Sequence, residues 1–257
     1  MKRFCFTVDD NIRFLRELTE GEYASILDHP YLAMYKRMHE KYGVLIQLNL
    51  FYEAEDFDLS QVTDRFSEQW QACADWLKLS FHSRLENVRP YELSAGGEVA
   101  EDCRAVHKEI LRFASKKSLA KTTTVHYCLA TEDGIAALYE NGVRGLLGLY
   151  GTDDTPRVSY QSTPAECEKI RKGEVVCRGG MSYAAIDIVL NTCSKEEILR
   201  RLRCLSGRER IGIMIHEQYF YPDYRKYQVD FEEKLDAAFA YLTDNGYKSV
   251  FFENETE

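Results

Sequence analysis

Short apolar runs rich in β-forming residues alternate with helical patterns along all 257 residues. Seven or eight strands follow one another in this way, with no internal break in composition and no low-complexity segment. Strands joined in series by helices predict a mostly parallel sheet with helices packed on it. The predicted strands comprise residues 3–8, 44–51, 77–81, 122–128, 144–150, 183–190, 211–215 and 248–252. We therefore expect a single α/β domain over residues 1–257.

Several helical stretches carry clear start signals. Helix N-termini are predicted at Thr163 and Ser194, where a glutamate three residues later forms a capping-box pattern. The turn after the first strand lacks the G-x-G-x-x-G pattern of an open dinucleotide-binding sheet. We therefore favour a (β/α) barrel of seven or eight strands. The other helices are predicted within residues 12–42, with an interruption near Pro30, within 60–73, with Ser60 as the N-cap, and within 98–114, 133–140 and 231–244.

Charge and composition argue against several kinds of partner. The formal net charge is −9 and no basic patch is visible, which argues against nucleic acid. The apolar stretch at the start ends at Asp9, too early for a secretion signal, and no later segment has the apolar length of a membrane span. The eight cysteines occur singly, as in proteins of reducing compartments. We expect a cytoplasmic protein, and the sequence does not indicate its oligomeric state.

Polar residues follow several of the predicted strands at the point where each strand ends. They are Asp9 with Asp10, His82, His126 and His216. In a parallel barrel the carboxyl ends of the strands carry the functional site, so these side chains are expected to meet. One carboxylate and two imidazoles can hold a divalent ion with open positions for water and substrate, while the second carboxylate removes a proton and another histidine donates one.

Ordinary structural roles remain open for some of these residues. The Asp9-Asp10 pair could serve only as a helix N-cap, and His126 could be a histidine of the core. Three further histidines, His29, His39 and His107, lie within predicted helices, where surface or core-flanking roles are expected.

The chain resembles the polysaccharide deacetylases of the NodB-homology type in three places. The sequence F-T-V-D-D at residues 6–10 resembles their T-F-D-D motif, His82-Ser83 resembles the start of their H-[ST]-x-x-H motif, and His216 after an apolar strand resembles their L-x-H motif. The resemblance implies an irregular (β/α) barrel with a metal site that removes acyl groups from a carbohydrate. It also implies that Asp9 is the base, Asp10 and His82 are metal ligands and His216 is the general acid.

The sequence departs from this pattern at the second histidine of the H-[ST]-x-x-H motif, where Glu86 stands. The third ligand is therefore Glu86 itself, His126 or His107, or it is missing. We favour His126, because a strand end points into the site. The family's D-x-x-D-W motif has no clear match, and Asp187 is the candidate for its orienting carboxylate.

An aromatic segment, H-E-Q-Y-F-Y-P-D-Y-R-K-Y, begins at His216. Tyr219 and Tyr221 within it are candidate substrate-binding residues, because aromatic rings pack against the apolar faces of sugars. The alternative is an aromatic loop that covers the end of the barrel for stability.

These observations predict a metal-dependent hydrolase that removes an acyl group, such as acetyl, from a small carbohydrate-like substrate. Two imidazoles with a carboxylate suit zinc, and cobalt, nickel or iron are alternatives. Two other interpretations stay open. One is a metal hydrolase that cleaves glycosidic or phosphoester bonds, and the other is a catalytically degenerate barrel that binds a saccharide or a partner protein.

Overall fold

The computed structural model describes residues 1–86, 90–151 and 157–256. Parts of two less regular predicted segments, residues 87–89 and 152–156, lie outside the described residues. The first half contains β1 (Arg3–Asn11), α1 (Arg13–Glu20), α2 (Pro30–Tyr42), β2 (Ile46–Phe51), β3 (Glu53–Ala54), β4 (Phe57–Asp58), α3 (Ser67–Cys73), β5 (Leu77–Ser83) and α4 (Gly96–Phe113). The second half contains β6 (Thr122–Thr123), α5 (Glu132–Glu140), β7 (Gly145–Gly148), α6 (Pro164–Arg171), β8 (Val176–Arg178), β9 (Met181–Ala185), β10 (Ile188–Val189), α7 (Lys195–Cys204), β11 (Arg210–His216), α8 (Phe231–Asp244) and β12 (Lys248–Ser249).

The central sheet has the strand order β10, β11, β1, β2, β5, and each adjacent pair is parallel. The short strand β12 also pairs in parallel with the beginning of β1. The register of β1 and β11 places Asp9 opposite His216. Because parallel strands end at the same edge, the residues that follow β1, β5 and β11 lie together. The predicted α/β fold with a mostly parallel sheet is confirmed.

A second sheet, with the order β6, β7, β9, β8, continues the circuit of strands, and only β8 in it is antiparallel. It meets the central sheet along two seams. At one seam the Leu79 amide of β5 donates to the Ser118 carbonyl (2.8 Å) and the Ala120 amide donates to the Leu79 carbonyl (2.9 Å). At the other, the Asp187 amide donates to the Gly212 carbonyl of β11 (2.8 Å). A few hydrogen bonds therefore join the sheets at each seam.

Strand β1 lies between a helical layer and a polar interior. Phe4 and Phe6 pack on Phe239 of α8, with ring centroids 6.0 and 5.0 Å apart. Side chains alternate along a strand, so Thr7 and Asp9 lie on the opposite face, both almost fully buried. The core thus forms between the sheet and its helices, while the interior face of β1 leads to Asp9.

The predicted strand at residues 122–128 is wrong after its first two residues. Only Thr122–Thr123 pair as a strand, and His126–Cys128 form a 3-10 turn. Tyr127 and Cys128 have φ angles of 62° and 58°, in the left-handed region that extended strands do not use. The β-forming composition of this stretch is therefore overridden by a turn.

Other boundaries also differ from the predictions. The predicted strand 183–190 is divided into β9 and β10, and the predicted strand 248–252 stops at Ser249, before a 3-10 turn. Within residues 12–42 the predicted interruption near Pro30 is confirmed: α1 and a 3-10 turn precede α2, which begins at Pro30. Ser60 does not cap α3, because it lies in a 3-10 turn that Asp58 caps. Thr163 and Ser194 cap α6 and α7 as predicted, each accepting a hydrogen bond from the backbone amide three residues later. Within the described ranges, no helix has the combination of length and hydropathy that spanning a bilayer requires.

Buried charges lie at the end of the strands opposite the candidate site. The 3-10 turn Phe252–Glu255 brings Glu255 to Arg210 at the start of β11, with Arg210 Nε 3.2 Å from the carboxylate. Only 2% of the Arg210 side chain and 4% of that of Glu255 are exposed. In the same turn, Glu253 pairs with Lys78 of β5. The two glutamates of this turn therefore neutralise cationic side chains at the starts of β5 and β11.

We expect Glu255→Ala to lower the free energy of unfolding by about 3–5 kcal/mol, because it leaves the Arg210 charge buried without its partner. Urea unfolding followed by circular dichroism measures this. Glu168→Ala is the control: Glu168 pairs with Lys172 on the surface of α6, and its loss should cost less than about 1 kcal/mol. Equal costs for the two variants would contradict the assigned role of Glu255.

Candidate metal centre

Five predicted residues come together at the carboxyl edge of the strands. Asp9 and Asp10 lie near the end of β1, His82 is the penultimate residue of β5, and His216 is the last residue of β11. His126 lies in the 3-10 turn that follows β6. Asp10 has a φ of 63°, an uncommon conformation that turns its side chain differently from the strand alternation. The carboxylates of Asp9 and Asp10 therefore occupy different positions, with different hydrogen-bond partners.

Three of these side chains bring donor atoms to one point. His82 Nε2 lies 3.0 Å from Asp10 Oδ1 and 3.1 Å from His126 Nδ1, and Asp10 Oδ1 lies 3.5 Å from His126 Nδ1. Within the described part of the chain this is the one group with the spacing of a metal site. Ligand atoms on a tetrahedral zinc ion, with bonds of 2.0–2.1 Å, lie about 3.3 Å apart. The observed separations fit that value.

In His82 and His126, the outer ring nitrogen, which faces away from the cluster, donates to a backbone carbonyl, and the inner nitrogen faces the cluster. His82 Nδ1 donates to the Thr124 carbonyl, and His126 Nε2 donates to the Glu86 carbonyl at 3.0 Å. In a neutral ring the inner nitrogen is then an acceptor, because a neutral imidazole carries one proton. Two such nitrogens and a carboxylate oxygen present three lone pairs to one another. A shared cation resolves this arrangement, and outer-nitrogen hydrogen bonds are usual for metal-binding histidines.

The charges at the cluster favour the forms that bind metal. Burial acts to raise the pKa of Asp10, but its interactions with His126, His82 and His216 hold that pKa well below the usual range. Burial lowers the pKa of His82 despite the attraction of Asp10. An ionised carboxylate and a neutral imidazole are the protonation states that metal coordination requires.

Asp9 lies beside the cluster and is held by β2. The Asn49 amide donates to Asp9 Oδ1 at 2.7 Å, and Gln47 in turn donates to Asn49 Oδ1 at 2.8 Å. Burial and the charge of Asp10 raise the pKa of Asp9 well above its ordinary value, while the bond from Asn49 lowers it. A carboxyl group with a raised pKa suits proton transfer near neutral pH.

His216 is oriented by an amide, not by a carboxylate. Its Nδ1 lies 2.8 Å from Asn191 Oδ1, so Nδ1 carries the proton and Nε2 is left to exchange one. Asp187, the residue predicted to orient this histidine, is engaged elsewhere: it pairs with Arg208 and accepts the Gly212 amide at 2.8 Å. Sequence reasoning missed Asn191, because an isolated asparagine after a strand carries no chemical pattern.

The two other candidates for the third ligand lie outside the cluster. His107 is in the middle of α4, with Nε2 3.7 Å from the Cys103 sulfur. Glu86 contributes its backbone carbonyl to His126 instead of its carboxylate. The structure therefore brings His126, and neither His107 nor Glu86, into the group with Asp10 and His82.

The two predicted aromatic residues have different surroundings. Tyr219 is partly exposed, 6.1 Å from His216 between ring centroids. Tyr221 is only 4% exposed, lies under the Arg13 guanidinium and donates to Glu217. A cavity of about 930 Å³ is lined by described residues that include Ile12 and Glu86, but by neither tyrosine and by none of the five residues above.

A buried carboxylate fixes the chain just after Asp10. Glu217 accepts hydrogen bonds from the backbone amides of Ile12 (2.7 Å), Arg13 (3.1 Å) and Phe14 (2.8 Å) at the start of α1. Sequence reasoning missed this residue. Burial raises the pKa of Glu217 to about 7, although these amides and Tyr221 lower it.

Three solved structures share this fold. One is a 4-α-glucanotransferase from Thermococcus litoralis, with a TM-score of 0.63 and 11% identity over 99% of this chain and 40% of that chain. Another is a family 4 acetyl xylan esterase from Clostridium thermocellum in complex with a cobalt ion, with a TM-score of 0.55 and 13% identity over 98% of this chain and 89% of the other. A third is a peptidoglycan N-acetylglucosamine deacetylase, with a TM-score of 0.56 and 11% identity over 98% of this chain and 86% of the other.

The comparison establishes the fold as that of the polysaccharide deacetylases. This chain spans 40% of the glucanotransferase but nearly nine tenths of the esterase and the deacetylase. No family model matches the sequence, and no curated protein is similar enough to match it. The predicted irregular (β/α) barrel of the polysaccharide-deacetylase type is confirmed as a fold.

The raised pKa of Glu217 predicts a pH-dependent stability that Glu217→Gln removes. The folded protein binds the proton with a pKa of about 7, against an ordinary value of 4.5, so this contribution is complete below pH 4.5 and is lost as the pH rises through 7. From pH 5 to pH 7.5 the wild type should lose about 2–3 kcal/mol relative to the variant. Chemical unfolding of both proteins across this range measures the difference, and parallel curves would contradict it.

Proposed function

We propose that the chain is a metal-dependent hydrolase that removes an acyl group from a small carbohydrate-like substrate. The observation that carries the proposal is the convergence of Asp10 Oδ1, His82 Nε2 and His126 Nδ1 on one point. Three protein ligands leave coordination positions for water and substrate, as in catalytic zinc sites. Zinc is the proposed ion, with cobalt, nickel or iron as alternatives.

The neighbouring groups suit acid–base catalysis of hydrolysis. When bound, a divalent ion would polarise the acyl carbonyl and lower the pKa of its water. Asp9, with its raised pKa, is the proposed base that accepts a proton from the attacking water. His216, held at Nδ1 by Asn191, is the proposed acid that delivers a proton from Nε2 to the leaving group.

The fold and the cavity support an acylated saccharide as substrate. Two proteins with this fold are named as an acetyl xylan esterase and an N-acetylglucosamine deacetylase. The cavity of about 930 Å³ has the size of an ordinary small-molecule site, and among the residues that line it is Glu86, whose carbonyl accepts a hydrogen bond from His126. Tyr219 is the aromatic residue we retain as a sugar contact, because the ring and hydroxyl of Tyr221 are both engaged within the protein.

A cytoplasmic location is part of this proposal. The eight cysteines are free thiols, which suits a reducing compartment. A cytoplasmic enzyme of this kind meets soluble precursors or breakdown fragments of polysaccharides and not an assembled cell wall.

Metal content tests the site directly. We expect tag-free wild-type protein to hold about one equivalent of metal, measured by inductively coupled plasma mass spectrometry, and His82→Ala and His126→Ala to lose it. His39→Ala is the matched control, because His39 lies outside the cluster, in the last turn of α2, where its ring stacks on Trp76. Wild type without metal, even after zinc is added, would contradict the proposed function.

A substrate panel tests the reaction. Zinc-loaded protein should release acetate from acetylated saccharides, and Asp9→Asn should lower kcat by about 10²–10⁴-fold while it retains the metal, because the proposed base is lost. Acetate release is measured by an enzyme-coupled assay, beside glycosidic and phosphorylated substrates. Cleavage of only the glycosidic or phosphorylated substrates would contradict the proposed acyl substrate. Saccharide binding without turnover would indicate a catalytically degenerate barrel.

A further inference from the structure

Gln218 belongs to the turn that follows β11, two residues after His216. Because the register aligns Asp9 with His216, this turn lies against the end of β1, which contains Asp10. Two consecutive residues of the turn make the contact: Glu217 binds backbone amides at the start of α1, and Gln218 contacts the Asp10 side chain. The second contact bears on the chemistry of the site.

The Gln218 amide fixes how the Asp10 carboxylate faces the imidazoles. Gln218 Nε2 donates to Asp10 Oδ2 at 2.6 Å, while Asp10 Oδ1 is the oxygen 3.0 Å from His82 Nε2. The two carboxylate oxygens therefore have separate partners, and the carboxylate cannot rotate without losing the amide. This bond directs Asp10 Oδ1 to the point where the imidazoles converge.

The other end of the Gln218 amide has no donor. Gln218 Oε1 is buried, and none of the described residues gives it a hydrogen bond. The amide cannot be reversed to correct this, because reversal would place Oε1 against the acceptor-only carboxylate of Asp10. Buried polar atoms in folded proteins are nearly always hydrogen-bonded, so an acceptor left open beside a candidate site points to a donor that arrives with a ligand.

We propose that Gln218 has two functions at this site, an inference that depends on the proposed function. Its Nε2–H positions Asp10 as a ligand through one oxygen, and its Oε1 accepts a hydrogen bond from an N–H or O–H of the bound reactants. The donor is either the amide N–H of an N-acyl substrate or the attacking water. Gln218 is thus a positioning residue toward the metal and a binding residue toward the reactants.

Two variants separate the functions. Gln218→Met keeps the length and removes both polar groups, whereas Gln218→Glu keeps an acceptor but replaces the donor and brings a like charge to Asp10. Gln71→Met on the exposed face of α3 is the control. Circular dichroism and thermal unfolding establish that each variant is folded, and the isosteric Gln218→Glu provides the test if Gln218→Met does not fold.

Zinc affinity tests the positioning function. By competition with a chromophoric chelator, both Gln218 variants should bind zinc about 10–100-fold more weakly than wild type, since groups that orient metal ligands have effects of that size. Affinities within twofold of wild type would overturn this function while the metal site itself stands. If wild type binds no zinc, the proposed function fails, and this inference fails with it.

Kinetics at saturating zinc test the acceptor function. The substrates are methyl 2-acetamido-2-deoxyglucoside and methyl 2-O-acetylglucoside, which differ only in the N–H. Gln218→Met, which has no acceptor, should show kcat/KM at least tenfold below that of Gln218→Glu, which keeps one. A loss confined to the N-acetyl compound assigns the donor to the substrate amide, and an equal loss on both assigns it to the water. Equal kcat/KM of the two variants on both compounds would overturn the acceptor function.

Discussion

The bonds from Glu217 to three consecutive backbone amides are the constraint on which the site depends. Helix N-termini leave such amides unpaired, and a carboxylate there also meets the favourable end of the helix dipole. Because the amides of Ile12, Arg13 and Phe14 belong to the start of α1, they fix the chain two residues after Asp10. A residue of the turn that follows β11 therefore fixes the backbone next to the left-handed residue Asp10.

Much of the fold follows from local patterns in the sequence. Strands β1 and β11 contain nearly continuous apolar runs, as expected of strands buried on both faces, whereas β2 and β5 alternate apolar with polar residues. The order of strands and helices then predicts a parallel sheet. The same reasoning anticipates that Asp10, His82 and His126 meet, because each follows a strand. It fails for the backbone around Tyr127, where two consecutive residues adopt left-handed angles although their neighbours are β-forming.

The supporting residues could not be predicted. Asn49, Asn191, Glu217 and Gln218 act through hydrogen bonds whose partners depend on strand register and on the angle of a turn. Local sequence encodes neither quantity, and amides carry no charge pattern that would mark them. The prediction for Asp187 shows the difficulty: it lies on the expected segment, but it pairs with Arg208 at the seam.

The cluster also takes its members from both sheets. Asp10 and His82 belong to the central sheet, whereas His126 follows β6 of the second sheet, and the two sheets meet there at the seam between β5 and β6. An ion at this point would act as a staple between the sheets. Opening of the seam and release of the ion would then be linked equilibria, so that the energy needed to separate the sheets includes the energy of coordination. The site would be a structural joint of the barrel as well as its reactive centre.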